Sequence, residues 1–196
     1  MTPVLTGRPG RPAAATREAA LALATDRFLA GERVDVRAIA GELGLARATM
    51  HRWFGTRAAL LGEVLAALAE ERLLVIRSRV SATGADALLE CFDGFNRELV
   101  ATAGLRALFV QEQERALQIL TSSAGIVQPR MVAAIERLIC AEVEDGAFTP
   151  AMATGTLAYA IVRLAESFLY NDAIIGIRGD TERLLEVQAL LLGLNA

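Results

Sequence analysis

The segment from Ala38 to Arg57 constrains the fold of this chain more than any other stretch, because it has the pattern of two short helices separated by a glycine. A first amphipathic segment runs into Gly44, and a second opens at Ala46 and ends at Gly55. Gly44 supplies the positive φ that a steep turn between two helices requires. The segment therefore predicts a helix-turn-helix.

The second helix of this unit has an inner and an outer face. Met50 and Phe54 are four residues apart, a spacing that places both on one side of a helix, so we predict that they point inward. The outer face carries polar and basic side chains, namely Arg47, Thr49, His51 and Arg52. This set of side chains is typical of a helix that contacts DNA in the major groove.

Two further helices are predicted around this unit. Thr16 is a plausible N-cap for a helix that ends near Gly31, and Asp35 caps the helix over 36–43. From Thr56 to about Val80 the apolar residues follow one long helix. We therefore expect a three-helix domain over 16–60, followed by a long connecting helix.

The charge is distributed unevenly along the chain. The formal net charge is −3, but residues 1–60 contain nine arginines and five acidic residues and so carry +4. The remainder carries −7. A basic surface is the electrostatic signature of nucleic-acid binding, and here it coincides with the predicted helix-turn-helix.

The first quarter of the chain, about 16–62, resembles the DNA-binding domain of TetR-type repressors. The order and spacing of these residues carry the resemblance: Ala24, Phe28, Gly31, Val36, Ile39, Ala40, Gly44, Leu45, Thr49, Phe54 and Leu60. The resemblance implies an all-α protein with an N-terminal helix-turn-helix domain and a C-terminal helical bundle for ligand binding and dimerisation. Its partner is expected to be double-stranded DNA with a palindromic operator.

The resemblance also implies roles for individual residues. His51, Trp53 and Arg57 take the positions of phosphate-contacting groups, although the family usually has tyrosine at His51 and Ser or Thr at Asp35. Because an ionised Asp35 cannot donate, we expect a phosphate contact there from a backbone N–H at the helix start.

Several of these assignments have alternatives. Arg47 is the favoured base contact, since arginine to guanine is the commonest specific pairing, and Thr49 is expected to assist it. Trp53 could instead be a core aromatic, and Arg52 could belong to a solvated face. Residues 1–15 form a Pro/Gly-rich basic segment, which we expect to be flexible. It is either an arm that places Arg8 and Arg11 in the minor groove or a solvated tail.

The C-terminal part, 61–196, is predicted to add helices at about 85–102, 105–121, 127–145, 150–175 and 179–193. Glu112 falls on the apolar face of its helix, where a carboxylate needs a partner such as Arg163 or a ligand. The expected effector site combines a few polar groups with aromatic side chains. These aromatic side chains could instead belong to the hydrophobic core. The candidate residues of the site are Phe92, Phe95, Asn96, Phe109, Glu112, Gln113, Tyr159 and Arg163.

The last two predicted helices have more apolar surface than one core needs, which favours a homodimer that forms through them. The run from Gly44 to Gly55 is similar to a QsdR-type subgroup, which would suggest a lactone-like or acyl effector. Together with the resemblance to TetR-type repressors, these features imply a repressor that a small, largely apolar effector releases from DNA.

Other functional classes fit the sequence less well. With a single histidine and no phosphate-binding loop, neither a metal site, a cofactor nor an enzymatic function is expected. Cys91 and Cys140 are predicted to be free thiols, and no segment is apolar enough to span a membrane, so a cytoplasmic location is expected. The alternative is a helical-bundle enzyme or small-molecule carrier with a vestigial helix-turn-helix; an all-helical adaptor would not explain the basic first quarter.

Overall fold

The computed structural model describes residues 16–170 and 180–194, and within these ranges the chain forms α-helices without strands, as predicted. In chain order the helices are α1 (Arg17–Leu29), α2 (Val36–Glu42), α3 (Arg47–Phe54), α4 (Arg57–Arg77), α5 (Gly84–Ala101), α6 (Ala103–Thr121), α7 (Val127–Glu144), α8 (Thr154–Tyr170) and α9 (Thr181–Leu191).

Helices α1 to α3 form the N-terminal head, and their predicted caps are confirmed. The Thr16 hydroxyl accepts a hydrogen bond from the Ala19 N–H at 3.1 Å. The Asp35 carboxylate accepts from the N–H groups of Arg37 and Ala38 at 2.8 and 2.9 Å. These bonds satisfy backbone donors that a helix start leaves without an intrahelical partner.

The turn between α2 and α3 is built as the sequence predicts. Gly44 has a φ of +63°, and the N–H of Leu45 donates to the Ala40 carbonyl at 2.8 Å. Met50 and Phe54 are buried beneath α3. Helix α3 is therefore held by its inner face, and its outer face is left for solvent.

Helix α4 joins the head to the rest of the molecule without a linker. Its N-terminal Leu60 and Leu61 and its central Leu73 belong to one continuous buried core that runs from α1 to α9. The predicted domain boundary between 60 and 61 thus falls inside a helix.

The body contains α5 to α9, and α7 packs most extensively against α8. The predicted start of α8 at residue 150 is too early, because the helix begins at Thr154. There the Thr154 hydroxyl lies 3.3 Å from the Glu136 carboxylate of α7. The predicted loop at 174–179 lies outside the described residues.

Glu142 joins three helix ends inside the body. Its side chain is 3% exposed and forms an ion pair with Arg77 at the end of α4. Its other carboxylate oxygen accepts from the N–H of Gly84, the first residue of α5, at 2.7 Å. Thr83, the N-cap residue of α5, makes no side-chain capping bond, so Glu142 performs that role from α7.

The head packs directly on α6. A Cβ atom at Gly104 would lie 2.0 Å from the carbonyl oxygen of Phe28 at the end of α1. Only glycine allows this approach of the two backbones. The α6 helix is also interrupted at Glu112, which has φ −146° and ψ 52°, so it consists of two helical pieces.

Two smaller expectations concern the thiols and the membrane. Cys91 and Cys140 are free, as predicted, and burial raises the pKa of the Cys91 thiol to about 11. Within the residues that the structure describes, no helix has the length and apolarity to cross a membrane.

Candidate nucleic-acid interface and effector cavity

The outer face of α3 presents the side chains that the sequence predicts. Arg47, His51 and Arg52 are exposed, while Thr49 and Trp53 are half-buried. Ala46, the N-cap residue, makes no side-chain hydrogen bond, so the start of the helix also faces solvent. No acidic residue occurs between 43 and 57, and this face is therefore uniformly neutral or basic.

The arginines of the head fall into two groups. Arg17 is paired with Glu63, and Arg27 donates to Glu42 at 2.6 Å. In contrast, an exposed group has no carboxylate within 4.0 Å among the described residues, and it consists of Arg37, Arg47 and Arg52. Such cations remain available for phosphate oxygens.

Sequence analysis did not single out Arg37. Its position in the first turn of α2, two residues after the Asp35 cap, was the available signal. Asp35 also occupies the N–H groups of Arg37 and Ala38, which were the expected backbone phosphate donors. In this structure the guanidinium of Arg37, rather than these amides, is the free donor at that helix start.

Trp53 has features of both roles considered for it. Its ring packs edge to face on Phe54, with 6.4 Å between ring centroids and an interplanar angle of 87°. The residue is nevertheless only half-buried, and it lies at the rim of the core cluster. An indole in this position is fixed by packing on one side and can donate its N–H on the other.

Arg57 and Glu112 form a contact that differs from the expectation for both residues. Arg57 donates to the Val34 carbonyl and, at 2.7 Å, to the Glu112 carboxylate. Arg33 and Arg115 lie 3.6 and 3.5 Å from the same carboxylate. Arg57 is thus occupied by α6, and the partner of Glu112 is Arg57 rather than Arg163.

The ion pair between Arg57 and Glu112 leads to a prediction for DNA binding. Glu112→Gln should remove a carboxylate that competes with phosphate for Arg57, and it should strengthen binding to duplexes of any sequence. The slope of log affinity against log salt should become steeper by about one unit if Arg57 gains one phosphate. The measurement is a salt titration of DNA binding by fluorescence anisotropy. Glu114→Gln, an exposed change of equal charge, is the control; an unchanged slope would show that Arg57 does not reach DNA.

Arg8 and Arg11, the predicted minor-groove contacts, lie outside the described residues. The interface described above therefore rests on the head from Thr16 onward.

A cavity of about 60 Å³, called here the inner cavity, lies between α5, α7, α8 and α9. Of the predicted effector residues, Phe92, Phe95 and Asn96 line it. Phe109 stacks on the lining residue Tyr170, with 5.4 Å between ring centroids. The other residues that line the inner cavity are Leu99, Leu120, Val127, Gln128, Met131, Ile135, Ile161, Val162, Ala165, Glu166, Leu169 and Gln188.

The other predicted effector residues lie elsewhere. Glu112 and Gln113 border a separate surface hollow on α6, because the helix is broken at Glu112 and this side chain turns toward the head. Tyr159 is 49% exposed on the outer side of α8. Arg163 is exposed and donates to Glu166 at 2.6 Å and to the Thr121 carbonyl at 3.2 Å. The expected grouping therefore holds only for the α5 residues and, indirectly, Phe109.

Polar groups that sequence analysis missed complete the inner cavity. The Asn96 amide donates to Gln188 at 3.2 Å, and both side chains are buried. Gln128 is 3% exposed, and its Nε2 has no hydrogen-bond partner in the part of the chain that the structure describes. Gln128 follows apolar residues at 126–127 and directly precedes Pro129. This pattern indicates the start of a helix and gives no sign of a binding residue.

Glu166 lines the same cavity, and burial raises its pKa to about 7 although Arg163 opposes the shift. A folded-state pKa above the unfolded value means that the charged form is disfavoured by folding. The contribution of Glu166 to stability is therefore complete below about pH 4.5 and is lost as the pH rises through about 7.

Glu166→Gln should consequently flatten the dependence of unfolding free energy on pH between these limits. Denaturant titrations of both proteins across this range give the comparison. If the free energy of unfolding of the variant falls over this pH range by as much as that of the wild type, another group causes the pH dependence.

The outer side of α8 and α9 exposes large apolar side chains. Tyr159 on α8 is 49% exposed and Leu190 on α9 is 63% exposed. Leu164, Phe168 and Leu191, on the same two helices, are half-buried and pack against the core. This face lies on the helices predicted to form a dimer.

Comparisons with known proteins agree with this architecture. The family model described as "Tetracyclin repressor-like, C-terminal domain" matches residues 83–193. The structure of the R. erythropolis transcriptional repressor QsdR, of the TetR family, is similar with a TM-score of 0.85 and 29% sequence identity, covering 92% of this chain and 95% of that one.

The fatty acid degradation regulator FadR from Bacillus halodurans has the same fold at a TM-score of 0.51 and 19% identity, covering 94% of this chain and 97% of that one. A comparison with curated proteins finds no match. The family model covers more than half of the chain, and the head, the long α4 and the helical body are the parts that the family combines. The chain belongs to the TetR family of transcriptional regulators.

Proposed function

We propose that this protein is a homodimeric transcriptional repressor that binds a palindromic operator and leaves it when a small, largely apolar effector occupies the body. The observation that carries the proposal is the set of exposed arginines on the head that have no carboxylate partner among the described residues, Arg37, Arg47 and Arg52. The similarity to QsdR, which is described as a repressor, favours repression over activation.

The residues of the head are assigned to base contacts or to phosphate contacts according to their distance from the start of α3. Arg47 opens α3, the end that enters the major groove in helix-turn-helix proteins, so it reads base edges with Thr49 beside it. His51, Arg52 and Trp53 follow on the outer face and hold phosphates. Arg57 joins them when it is released from Glu112, and Arg8 and Arg11 supply minor-groove contacts from the N-terminal segment.

Dimerisation is expected through the exposed face of α8 and α9. Tyr159 and Leu190 supply its apolar centre, and a two-fold axis would bring each next to its counterpart. A dimer places two recognition helices about 34 Å apart, the separation of successive major grooves on one side of the duplex.

The proposed release from the operator depends on how the head is connected to the body. The head contacts α6 through Gly104 and through Glu112, and α4 runs from the head into the effector cavity region. An effector that favours a body conformation with the heads at another spacing lowers operator affinity by its difference in affinity for the two conformations. No change in the contacts between α3 and its own domain is needed.

Selection of bound duplexes from a random-sequence library tests this proposal. The enriched sequences should contain an inverted repeat with half-site centres about 10 base pairs apart or a multiple of that distance. Failure to enrich any sequence would contradict operator recognition. A single half-site without a repeat would contradict binding as a symmetric dimer.

A further inference from the structure

A second and larger cavity adjoins the inner cavity on the side of the head. This outer cavity has a volume of about 460 Å³ and lies between α1, α4, α5, α6 and α7. Its volume falls within the range that is usual for small-molecule sites, whereas the inner cavity alone would hold about two water molecules. The two are separated only by side chains that line both: Phe95, Leu99, Leu120, Val127, Met131 and Tyr170.

The outer cavity reaches the DNA-binding head itself. Phe28 and Leu29, at the end of α1, line it, and Leu29 is 49% exposed. Its rim carries the ion pair between Arg72 of α4 and Glu98 of α5, with 3.2 Å between Nε and the carboxylate. Both of these side chains are about half exposed, so this is the side that opens to solvent.

The inner cavity contains an unpartnered amide donor, and among the described residues no cationic side chain lines it. The Nε2 of Gln128 is a buried donor without a partner within residues 16–170 and 180–194, and such a group is uncommon in folded proteins unless a ligand or water meets it. None of the lining residues is Arg, Lys or His, and the carboxyl group of Glu166 is the acidic one. A carboxylate ligand would thus lack a cationic partner in a mostly apolar chamber.

We propose that the two cavities form one site for an elongated, uncharged amphiphile, whose polar end accepts a hydrogen bond from Gln128 and whose alkyl chain fills the outer cavity against Phe28 and Leu29. This inference rests on the proposed function, since it names the effector class and the route by which the effector acts. The effector contacts α1 directly. Chain length therefore decides whether it can displace the head, because only a long molecule extends along the outer cavity as far as Phe28 and Leu29.

Calorimetric titration with methyl esters of 4, 8 and 12 carbons, and with the carboxylates and alkylamines of equal length, tests the site. The esters should bind most tightly at each length. Their affinity should rise by about fourfold for each methylene that becomes buried. Carboxylates that bind as tightly as the esters, or amines that bind more tightly, would overturn the assignment of an uncharged polar end.

Gln128→Met tests the anchoring donor. The variant removes an unpartnered polar group, so its thermal stability should be equal to or above that of the wild type. Ester affinity should nevertheless fall roughly 2- to 10-fold at every length, the usual effect of one neutral hydrogen bond. Unchanged ester affinity would overturn the role of Gln128.

Leu29→Trp tests the outer cavity, because the larger ring occupies its end at the head. The 12-carbon ester should bind at least tenfold more weakly, while the 4-carbon ester should bind as before. Leu74→Trp, at a 64% exposed position of α4 that lines neither cavity, is the control. Equal losses for short and long esters would overturn the two-chamber site.

Release from DNA is measured separately, with the duplex selected for this protein. Release by the 12-carbon ester and not by the 4-carbon ester supports contact with the head as the trigger. If the esters bind in the predicted pattern but leave DNA binding unchanged, the site stands and the proposed release by effector is wrong. If no ester binds, the site is wrong whatever the DNA measurement gives.

Discussion

Glu142→Ala should lower the free energy of unfolding by about 3 kcal/mol, at the lower end of the range for breaking a buried ion pair. The change leaves the Gly84 N–H without its acceptor and Arg77 without its counter-charge. Arg77 is 29% exposed and can turn partly to water, which keeps the loss below the upper end of that range. Urea unfolding at one fixed protein concentration measures the effect, since the stability of a dimer depends on concentration.

The control for this variant is Glu144→Ala, which removes an exposed carboxylate from the same helix end. Its effect should stay within about 0.5 kcal/mol, as for most surface substitutions. If the two variants lose the same stability, the junction of α4, α5 and α7 does not depend on Glu142.

Arg47→Ala should cost about 1–3 kcal/mol of affinity for the selected operator. The physical reason is the loss of a base-edge contact made by an exposed, unpaired guanidinium at the start of α3. Binding to a scrambled duplex should change much less, because phosphate contacts supply that affinity. Competition anisotropy with both duplexes at one salt concentration gives the two numbers.

Arg79→Ala is the matched control, because Arg79 is an exposed arginine just beyond the far end of α4. It changes the net charge equally and should leave the preference between the two duplexes unchanged. Equal losses on the operator and the scrambled duplex for Arg47→Ala would assign Arg47 to phosphate contact and remove its base-reading role.

The helix-turn-helix was predictable from sequence because local rules determine it. Gly44 is needed for a positive φ, Asp35 and Thr16 are capping residues, and Met50 and Phe54 have the spacing of one helical face. Each of these signals is contained within a few residues. The helix ends follow within a few residues of the predicted ranges for the same reason.

The surroundings of Glu112 were not predictable in this way. The residue fits the apolar stripe of α6 only if the helix is continuous, and the structure interrupts it at that residue. The partner, Arg57, is 55 positions away along the chain and is the first residue of α4. Periodicity gives the direction of a side chain within one regular helix and carries no information about a break or a distant partner.

The inner cavity shows the same limit. Aromatic residues of α5 were predicted to line it and do, but Gln128 and Gln188 come from helices packed across from α5. A single amide in a sequence gives no sign of burial, and polar residues are usually exposed. Their role depends on the packing of α5, α7 and α9, which local patterns do not specify.

The ratio of affinities for the selected operator and for a scrambled duplex, measured at physiological salt, tests the central claim most directly. A sequence-specific regulator that uses the head described here should bind the operator at least about 10³-fold more tightly. Both affinities should fall steeply with salt, because arginines replace counterions at the phosphates. Equal affinity for the two duplexes, or binding of neither, would contradict the assignment of this protein as an operator-binding repressor.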